Sequence, residues 1–244
     1  MTAAVLSDRP AELADPDCLG ENEAFSLLTG HPWRRFVVLG DSVAQGPVFP
    51  VDGFVPLRWT DRVAAELTAV EPSLEYSNLG VSGLLTAQVR ATQLEPALAF
   101  EPDLALVLCG GNDAFKRSYT LDRAAAVAED LAYVLEKLTA AGALVATIGI
   151  FDVSYSPAVP DSFRGELRER LALLARHARA VAARFGGVHV DLSVHRRASD
   201  PSLYSLDGRH GNCRSDAIAA AEMVRSLGAR VEYRGAEAEN NPAG

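Results

Sequence analysis

Two short segments hold the side chains of a candidate nucleophile and its base. Ser42 lies in GDSVAQG (40–46), and a serine hydroxyl attacks a carbonyl carbon when a neighbouring base accepts its proton. Asp207 and His210 are three residues apart in SLDGRHGN (205–212), so a single turn can bring both side chains to the same side. A carboxylate that accepts the imidazole Nδ1–H fixes the tautomer and leaves Nε2 free to act as that base.

Two further segments contain groups that can donate hydrogen bonds to a developing oxyanion. In SNLGVSG (77–83), two glycines bracket a turn whose backbone N–H groups can approach a ligand closely. In CGGNDAF (109–115), two glycines precede Asn112, whose amide donates an N–H without adding charge. Preorganised donors of this kind are each worth on the order of 10²–10³ in rate when an oxyanion forms.

Each segment also has an ordinary structural interpretation. Ser42 has the residue type of a helix N-cap, and Asn112 that of a turn residue or cap. Asp207 and His210 are equally consistent with an exposed surface pair. A phosphate-binding loop is excluded for the first segment because its second glycine is followed by Pro47, where lysine is required. The G-x-S-x-G turn of α/β-hydrolases does not fit this segment either.

The hydrophobic pattern predicts the elements that position these segments. Apolar runs predict five buried strands, at 36–40, 74–80, 103–111, 143–150 and 188–192. Helical periodicity predicts helices at 21–28, 57–70, 84–94, 121–142, 166–186 and 215–228. Strands that alternate with helices are typical of an α/β fold, in which a parallel sheet is covered on both faces. We therefore expect one doubly wound domain.

The four segments share one position relative to this sheet. Three of them directly follow the first three strands, and the Asp–His segment lies between the last strand and the last helix. Ligands bind such sheets outside the carboxyl ends of the strands. The joint occurrence of a nucleophile, a base with its orienting group, and donors at one edge favours catalysis over four separate structural roles.

With the segments placed, the sequence resembles the SGNH (GDSL-type) hydrolases. The matching motifs are GDS (40–42), NLGVSG (78–83), GGND (110–113) and DGRH (207–210), and the resemblance runs from about residue 35 to residue 228. It implies a flavodoxin-like three-layer α/β/α sandwich with a five-stranded parallel sheet. It also implies serine hydrolase chemistry, with no metal or organic cofactor.

Matched by position, the resemblance implies a role for five residues. Ser42 is the nucleophile, His210 is the base, and Asp207 orients the base. Gly83 matches the family's oxyanion glycine, Asn112 supplies a side-chain donor, and the backbone N–H of Ser42 supplies a third donor.

The expected reaction is attack of Ser42 on an ester or thioester of a small molecule, followed by release of the acyl group to water. Two alternatives stay open: an acyltransferase that passes the acyl group to an alcohol or amine, and a non-catalytic binding domain on the same scaffold. The candidates to contact the substrate are His195 and the aromatic residues of the loops at this edge, Phe49, Phe54, Phe115, Phe151 and Tyr155. The candidates to meet an acidic group are Lys116, Arg117, Arg196 and Arg197.

Three segments are predicted along the chain. They are an N-terminal arm (1–34), the hydrolase domain (35–230) and a flexible C-terminal tail (231–244). The arm is acidic, is interrupted by proline and glycine, and has no counterpart in the family pattern. It packs on the domain, packs on a partner subunit, or is a loosely docked terminus.

The amino-acid composition limits the kinds of partner and of cellular location that we expect for this protein. The formal net charge of −9 argues against nucleic acid, whose phosphates require a basic surface. Three cysteines without a C-x-x-C spacing disfavour a disulfide scaffold or a structural zinc site. The sequence shows no basic, then apolar leader and no run of about 18 apolar residues, so we expect a cytoplasmic protein without a membrane span. The oligomeric state is left open.

Overall fold

Five parallel strands form a single sheet. The computed structural model describes residues 9–240, with side chains as far as Tyr233. The strands run in the order β2-β1-β3-β4-β5. Their bounds are β1 Arg35–Gly40, β2 Glu75–Asn78, β3 Leu104–Leu108, β4 Leu144–Gly149 and β5 Val188–Asp191. The order reverses between β1 and β3, and this switch point is where a doubly wound sheet opens a crevice at its carboxyl edge.

Helices cover both faces of the sheet. Those of the described residues are α1 Pro10–Ala14, α2 Glu23–Leu28, α3 Ser42–Gln45, α4 Trp59–Val70, α5 Thr86–Ala99, α6 Gly111–Ala114, α7 Leu121–Ala140, α8 Asp161–Arg184 and α9 Cys213–Asn240. Short 3-10 turns lie at Val153–Tyr155, Leu192–Val194 and Pro201–Leu203. No helix of the part that the structure describes is long and apolar enough to cross a membrane.

The alternation of side chains along β1 shows how the three layers form. Phe36 and Val38 join α2, α4 and α9 in one core cluster. Val37 and Leu39 join α5, α7 and α8 in another cluster on the opposite face. Successive strand residues point to opposite faces, so a continuously apolar strand must be covered on both sides. The predicted three-layer α/β/α fold with five parallel strands is confirmed.

Tertiary packing moves several of the predicted helix bounds. The helix predicted to start at 166 begins at Asp161, and the helix predicted to end at 94 continues to Ala99, past Pro96. Ala97, in this extension, is fully buried against the sheet. The final helix, predicted over 215–228, runs from Cys213 to Asn240, so residues 231–240 of the predicted tail are helical. Residues 241–244 lie outside the described part.

The N-terminal arm shares the core of the domain from residue 9 onward. Leu28 and Trp33 are almost completely buried, in the same cluster as the first face of the sheet. The short helix predicted at 21–28 is α2, which packs against α9 and α4. The arm therefore contributes to the layer that covers one face of the sheet.

A buried ion pair joins the arm to α4. Arg62 Nη1 lies 2.8 Å from Glu12 Oε1, and both side chains are no more than 4% exposed. Arg62 also donates to the carbonyl oxygens of Leu57 and Val55, and Glu12 accepts the Val55 N–H at 3.1 Å. Every charged group of this pair is thus hydrogen-bonded, as burial requires.

Replacing Arg62 with methionine is expected to lower the free energy of unfolding by about 3–5 kcal/mol, because it removes the buried cationic partner of Glu12 and the side-chain donor of two carbonyls. Arg34→Met is the matched control, since Arg34 pairs with Glu71 but is half exposed. The control should cost about 0–1 kcal/mol. Urea unfolding of both variants checks this, and equal losses would contradict the buried network.

Candidate active site

The carboxyl end of β1 is held so that Ser42 emerges at the edge of the sheet. A Cβ at Gly40 would lie 2.0 Å from Leu108 O, so only glycine permits this contact between β1 and β3. The buried amide of Gln93 brackets the same residue, accepting the Gly40 N–H at 2.7 Å and donating to Gly40 O at 2.9 Å. Sequence reasoning gave Gln93 no role, because its partner is 53 residues away.

Asp41, not Ser42, caps the short helix α3. The Asp41 carboxylate accepts the Val43 N–H at 2.9 Å, and Ser42 is the first helical residue. The interpretation of Ser42 as an N-cap is therefore wrong. Within residues 9–240, neither the backbone N–H nor the hydroxyl of Ser42 has a hydrogen-bond partner. The hydroxyl is free to react, and the N–H is free to donate.

Asp207 and His210 form the expected pair. His210 Nδ1 lies 2.7 Å from Asp207 Oδ2. The other carboxylate oxygen accepts from the Ser205 hydroxyl and from the backbone N–H groups of Arg209 and His210, at 2.6–3.0 Å. Burial raises the pKa of Asp207, but these hydrogen bonds more than offset it and hold the pKa well below its ordinary value. Asp207 is therefore charged and fixes the imidazole by Nδ1, while Nε2 stays available.

The Asn112 side chain lies between the loops that follow β1 and β2. Its Nδ2 donates to Leu84 O at 3.0 Å and to Asp41 Oδ2 at 3.3 Å. The neighbouring Asp113 accepts the backbone N–H and the hydroxyl of Thr86, both at 2.9 Å, and so ties the loop after β3 to the start of α5. The GDS and GGND motifs contain Asp41 and Asp113, but the sequence did not predict which residues these carboxylates bind.

The two glycines after β2 have different hydrogen-bond states. Gly80 N–H donates to Asn78 Oδ1 at 2.9 Å, and a Cβ at Gly80 would lie 2.6 Å from Gln45 N. Gly83 has φ +83°, open space where a Cβ would be, and an N–H with no acceptor among the described residues. Gly80 therefore packs the loop onto α3, whereas Gly83 has the free N–H that an oxyanion donor requires.

Ser42 and His210 line the same pocket, which has a cavity volume of about 90 Å³ and opens to solvent. Its walls are mostly apolar. They are formed by Val43, Trp59, Ile148, Ile150, Phe151, Val153, Leu192, Leu203, Tyr204 and Ala219, with Arg209 beside His210. The residues come from α3, α4, α9 and the ends of β4 and β5. The arrangement places a serine hydroxyl and an imidazole in one largely apolar pocket.

Of the six residues predicted to contact a substrate, Phe151 lines this pocket. Phe49 stacks on the His210 ring, with centroids 6.5 Å apart. Phe54 packs against the core, and Phe115 and Tyr155 are exposed side chains outside the pocket. His195 lies behind Phe151, whose ring it meets edge-on at 5.8 Å. The walls come from β4, α4 and α9 as well as from the loops that hold Phe151 and Leu203, so substrate contact by the other five residues stays a prediction.

Two of the basic residues predicted to meet an acidic group are bound to the N-terminal arm. Arg196 and Arg197 are paired with Asp17 of the arm and so are not free for a substrate. Within residues 9–240, no group of three or more His, Cys, Asp or Glu side chains is arranged to hold a metal ion.

The site and its motifs belong to a known family. The sequence model of the GDSL-like Lipase/Acylhydrolase family matches residues 38–214, well over half of the chain. The chain is therefore a member of this family, and its class is that of the carboxylic ester hydrolases. No curated protein sequence matches the chain significantly.

Solved structures share the fold. A catalytic mutant of Axe2, an acetylxylan esterase from Geobacillus stearothermophilus, has a TM-score of 0.64 and 17% identity, covering 82% of this chain and 95% of that one. LAE5, an alpha/beta hydrolase enzyme from the metagenome of Lake Arreo, Spain, has the same TM-score and identity, covering 82% and 96%. TesA has a TM-score of 0.61 and 22% identity, covering 80% and 98%. At these identities the likeness establishes the architecture alone.

The Asp41 carboxyl should make stability depend on pH. Burial and the nearby Asp113 raise its pKa from 3.8 to about 6, against a hydrogen bond from Val43 N–H that lowers it. The folded state thus favours the uncharged carboxyl. This group makes its whole contribution to the free energy of unfolding below about pH 4, and the contribution is lost as the pH rises through about 6. Over that interval the loss is about 3 kcal/mol.

Asp41→Asn removes this titration. Between pH 4 and pH 7, its free energy of unfolding relative to the wild type should therefore rise by about 3 kcal/mol. Urea unfolding of both proteins at a series of pH values measures the difference. A difference that stays constant with pH would contradict the burial argument.

Proposed function

We propose that the protein is a serine esterase that cleaves an acyl ester or thioester of a small molecule through a Ser42–His210–Asp207 triad. The observation that carries the proposal is the 2.7 Å contact of His210 Nδ1 with Asp207, on a histidine that shares its pocket with Ser42. His210 Nε2 takes the hydroxyl proton as Ser42 Oγ attacks the carbonyl carbon. The proton then passes to the leaving oxygen or sulfur, and an acyl-enzyme remains.

Water completes the reaction by the same steps. His210 removes a proton from water, the hydroxide attacks the acyl carbon, and the proton returns to Ser42 as the acid departs. Asp207 keeps its charge throughout and stabilises the imidazolium that forms in each step. An alcohol or amine in place of water would make the enzyme an acyltransferase, with the same intermediate on Ser42 and a different acceptor.

The oxyanion is stabilised by three donors in this proposal. The N–H groups of Ser42 and Gly83 have no acceptor within residues 9–240. The Asn112 amide exchanges its longer contact, 3.3 Å to Asp41, for the oxyanion while it keeps Leu84 O. Donors that are already held in place cost no reorganisation when charge develops on the carbonyl oxygen.

The triad assignment is supported by the structurally similar Axe2. Its catalytic mutants replace a serine, an aspartate or a histidine with alanine. The aspartate and the histidine of Axe2 are three positions apart, as Asp207 and His210 are here. Axe2 is an acetylxylan esterase, whereas the cavity beside Ser42 has room and apolar walls for an acyl group larger than acetyl.

A fluorophosphonate should label Ser42. Intact-mass analysis of the folded protein is expected to show one adduct on the wild type and none on Ser42→Ala. Ser82→Ala is the matched control, since this exposed serine lies in the neighbouring loop and should leave labelling unchanged. Absence of an adduct on the wild type, or an adduct that persists in Ser42→Ala, would overturn the proposal.

Asn112→Ala is expected to lower kcat for p-nitrophenyl esters by about 10²–10³-fold, because the donor acts on charge that is present only in the transition state. KM should stay within about twofold for the same reason. Steady-state kinetics over substrate concentrations that span KM measures both constants. A change confined to KM would mean that Asn112 binds substrate instead.

A further inference from the structure

The acidic arm before β1 is bound to arginines of the domain by four of its carboxylates. The pairs are Glu12–Arg62, Asp15–Arg214, Asp17–Arg196 and Arg197, and Glu23–Arg225. The arm precedes residues 38–214, which match the family model. Its contacts therefore belong to this chain rather than to the family's common motifs.

Asp17 is an almost completely buried carboxylate that contacts a loop beside the pocket. Its side chain is 2% exposed and accepts from Arg197 Nε at 2.8 Å and from Arg196 Nε. His195 Nε2 lies 3.7 Å from the same carboxylate. Burial raises the pKa of Asp17, but the two guanidinium groups more than offset it and hold the pKa below its ordinary value. The carboxylate is therefore charged, is hydrogen-bonded to Arg196 and Arg197, and lies close to His195.

His195, Arg196 and Arg197 lie next to residues of the pocket wall. They directly follow the 3-10 turn Leu192–Val194, and Leu192 lines the pocket. The His195 ring meets Phe151 edge-on, with centroids 5.8 Å apart, and Phe151 lines the pocket as well. Asp17 thus fixes the loop next to Leu192 and Phe151. This loop supports the two wall residues from the side that faces away from the cavity.

Two other carboxylates of the arm, Asp15 and Glu12, hold further segments near the site. Asp15 accepts from Arg214 Nε at 2.8 Å, at the start of α9 just after His210. Glu12 accepts the Val55 N–H, and its own N–H donates to Gly53 O at 3.1 Å. The loop between α3 and α4, which holds Gly53 and Val55, also includes Pro47 of the pocket and Phe49, which stacks on His210. Three loops around the pocket are therefore anchored to one segment.

We propose that the acidic arm determines the acyl selectivity of the enzyme, with Asp17 as the residue that positions the pocket wall formed by Phe151 and Leu192. The inference rests on the proposed esterase function. Asp17 contacts neither Ser42 nor the His210–Asp207 pair, so its loss leaves the reacting groups in place. It releases the wall against which a longer acyl chain packs, and an acetyl group makes little use of that wall.

Asp17→Asn tests this role because it removes the charge and keeps the size of the side chain. For p-nitrophenyl octanoate we expect KM to rise about tenfold with kcat nearly unchanged, since pocket contacts set discrimination among chain lengths on this scale. For p-nitrophenyl acetate both constants should stay within about twofold. Asp130→Asn is the matched control: Asp130 pairs with Arg90 at 2.9 Å on α7 and should alter neither ester.

Arg197→Gln removes one of the two guanidinium partners of Asp17. It should raise KM for the octanoate ester by less than Asp17→Asn does, and the double variant should be no worse than Asp17→Asn, because the Asp17–Arg197 interaction is already lost in that variant. All assays are run well below the melting temperature of each variant, with folding checked by circular dichroism. A lower melting temperature with unchanged selectivity would overturn the inference, because the arm would then act on stability alone. Absence of esterase activity in the wild type would instead refute the proposed function.

Discussion

The contact of Gly40 with the Leu108 carbonyl is the constraint on which the rest of the site depends. Since no side chain intervenes, the Asp41 N–H reaches that carbonyl at 3.2 Å and the chain turns from β1 directly into α3. Ser42 therefore lies at the switch point of the sheet, and Asn112 lies in the segment that follows the neighbouring strand β3. Every later feature, including the free Ser42 N–H and the Asp41–Asn112 contact, follows from this tight turn.

Two aspartates of the site are driven in opposite directions by their surroundings. Burial raises the pKa of Asp41 to about 6, whereas four donors hold the pKa of Asp207 low in spite of burial. Asp41 thus acts as a buried acceptor that caps α3 and orients an amide. Asp207 keeps the charge that balances an imidazolium. Environment rather than residue type assigns the two roles.

The fold and the region of the candidate site were largely predictable from the sequence, because both follow from local patterns. Apolar runs marked the strands, and the motifs that follow them identified the region where Ser42, Gly83, Asn112 and His210 lie. The pocket walls were not predictable, since α4, α9 and β4 meet only in three dimensions. The Asp17–Arg197 contact spans 180 residues, and no periodicity in the sequence signals it.

In the proposed mechanism, Ser42, Gly83 and Asn112 converge on the oxygen of a bound acyl group. A crystal structure of the adduct formed with a phosphonate ester would show whether they do. We expect a covalent bond to Ser42 Oγ, with the phosphoryl oxygen about 2.7–3.1 Å from Ser42 N, Gly83 N and Asn112 Nδ2. An oxygen that points to solvent, with Asn112 still bonded to Asp41, would contradict it.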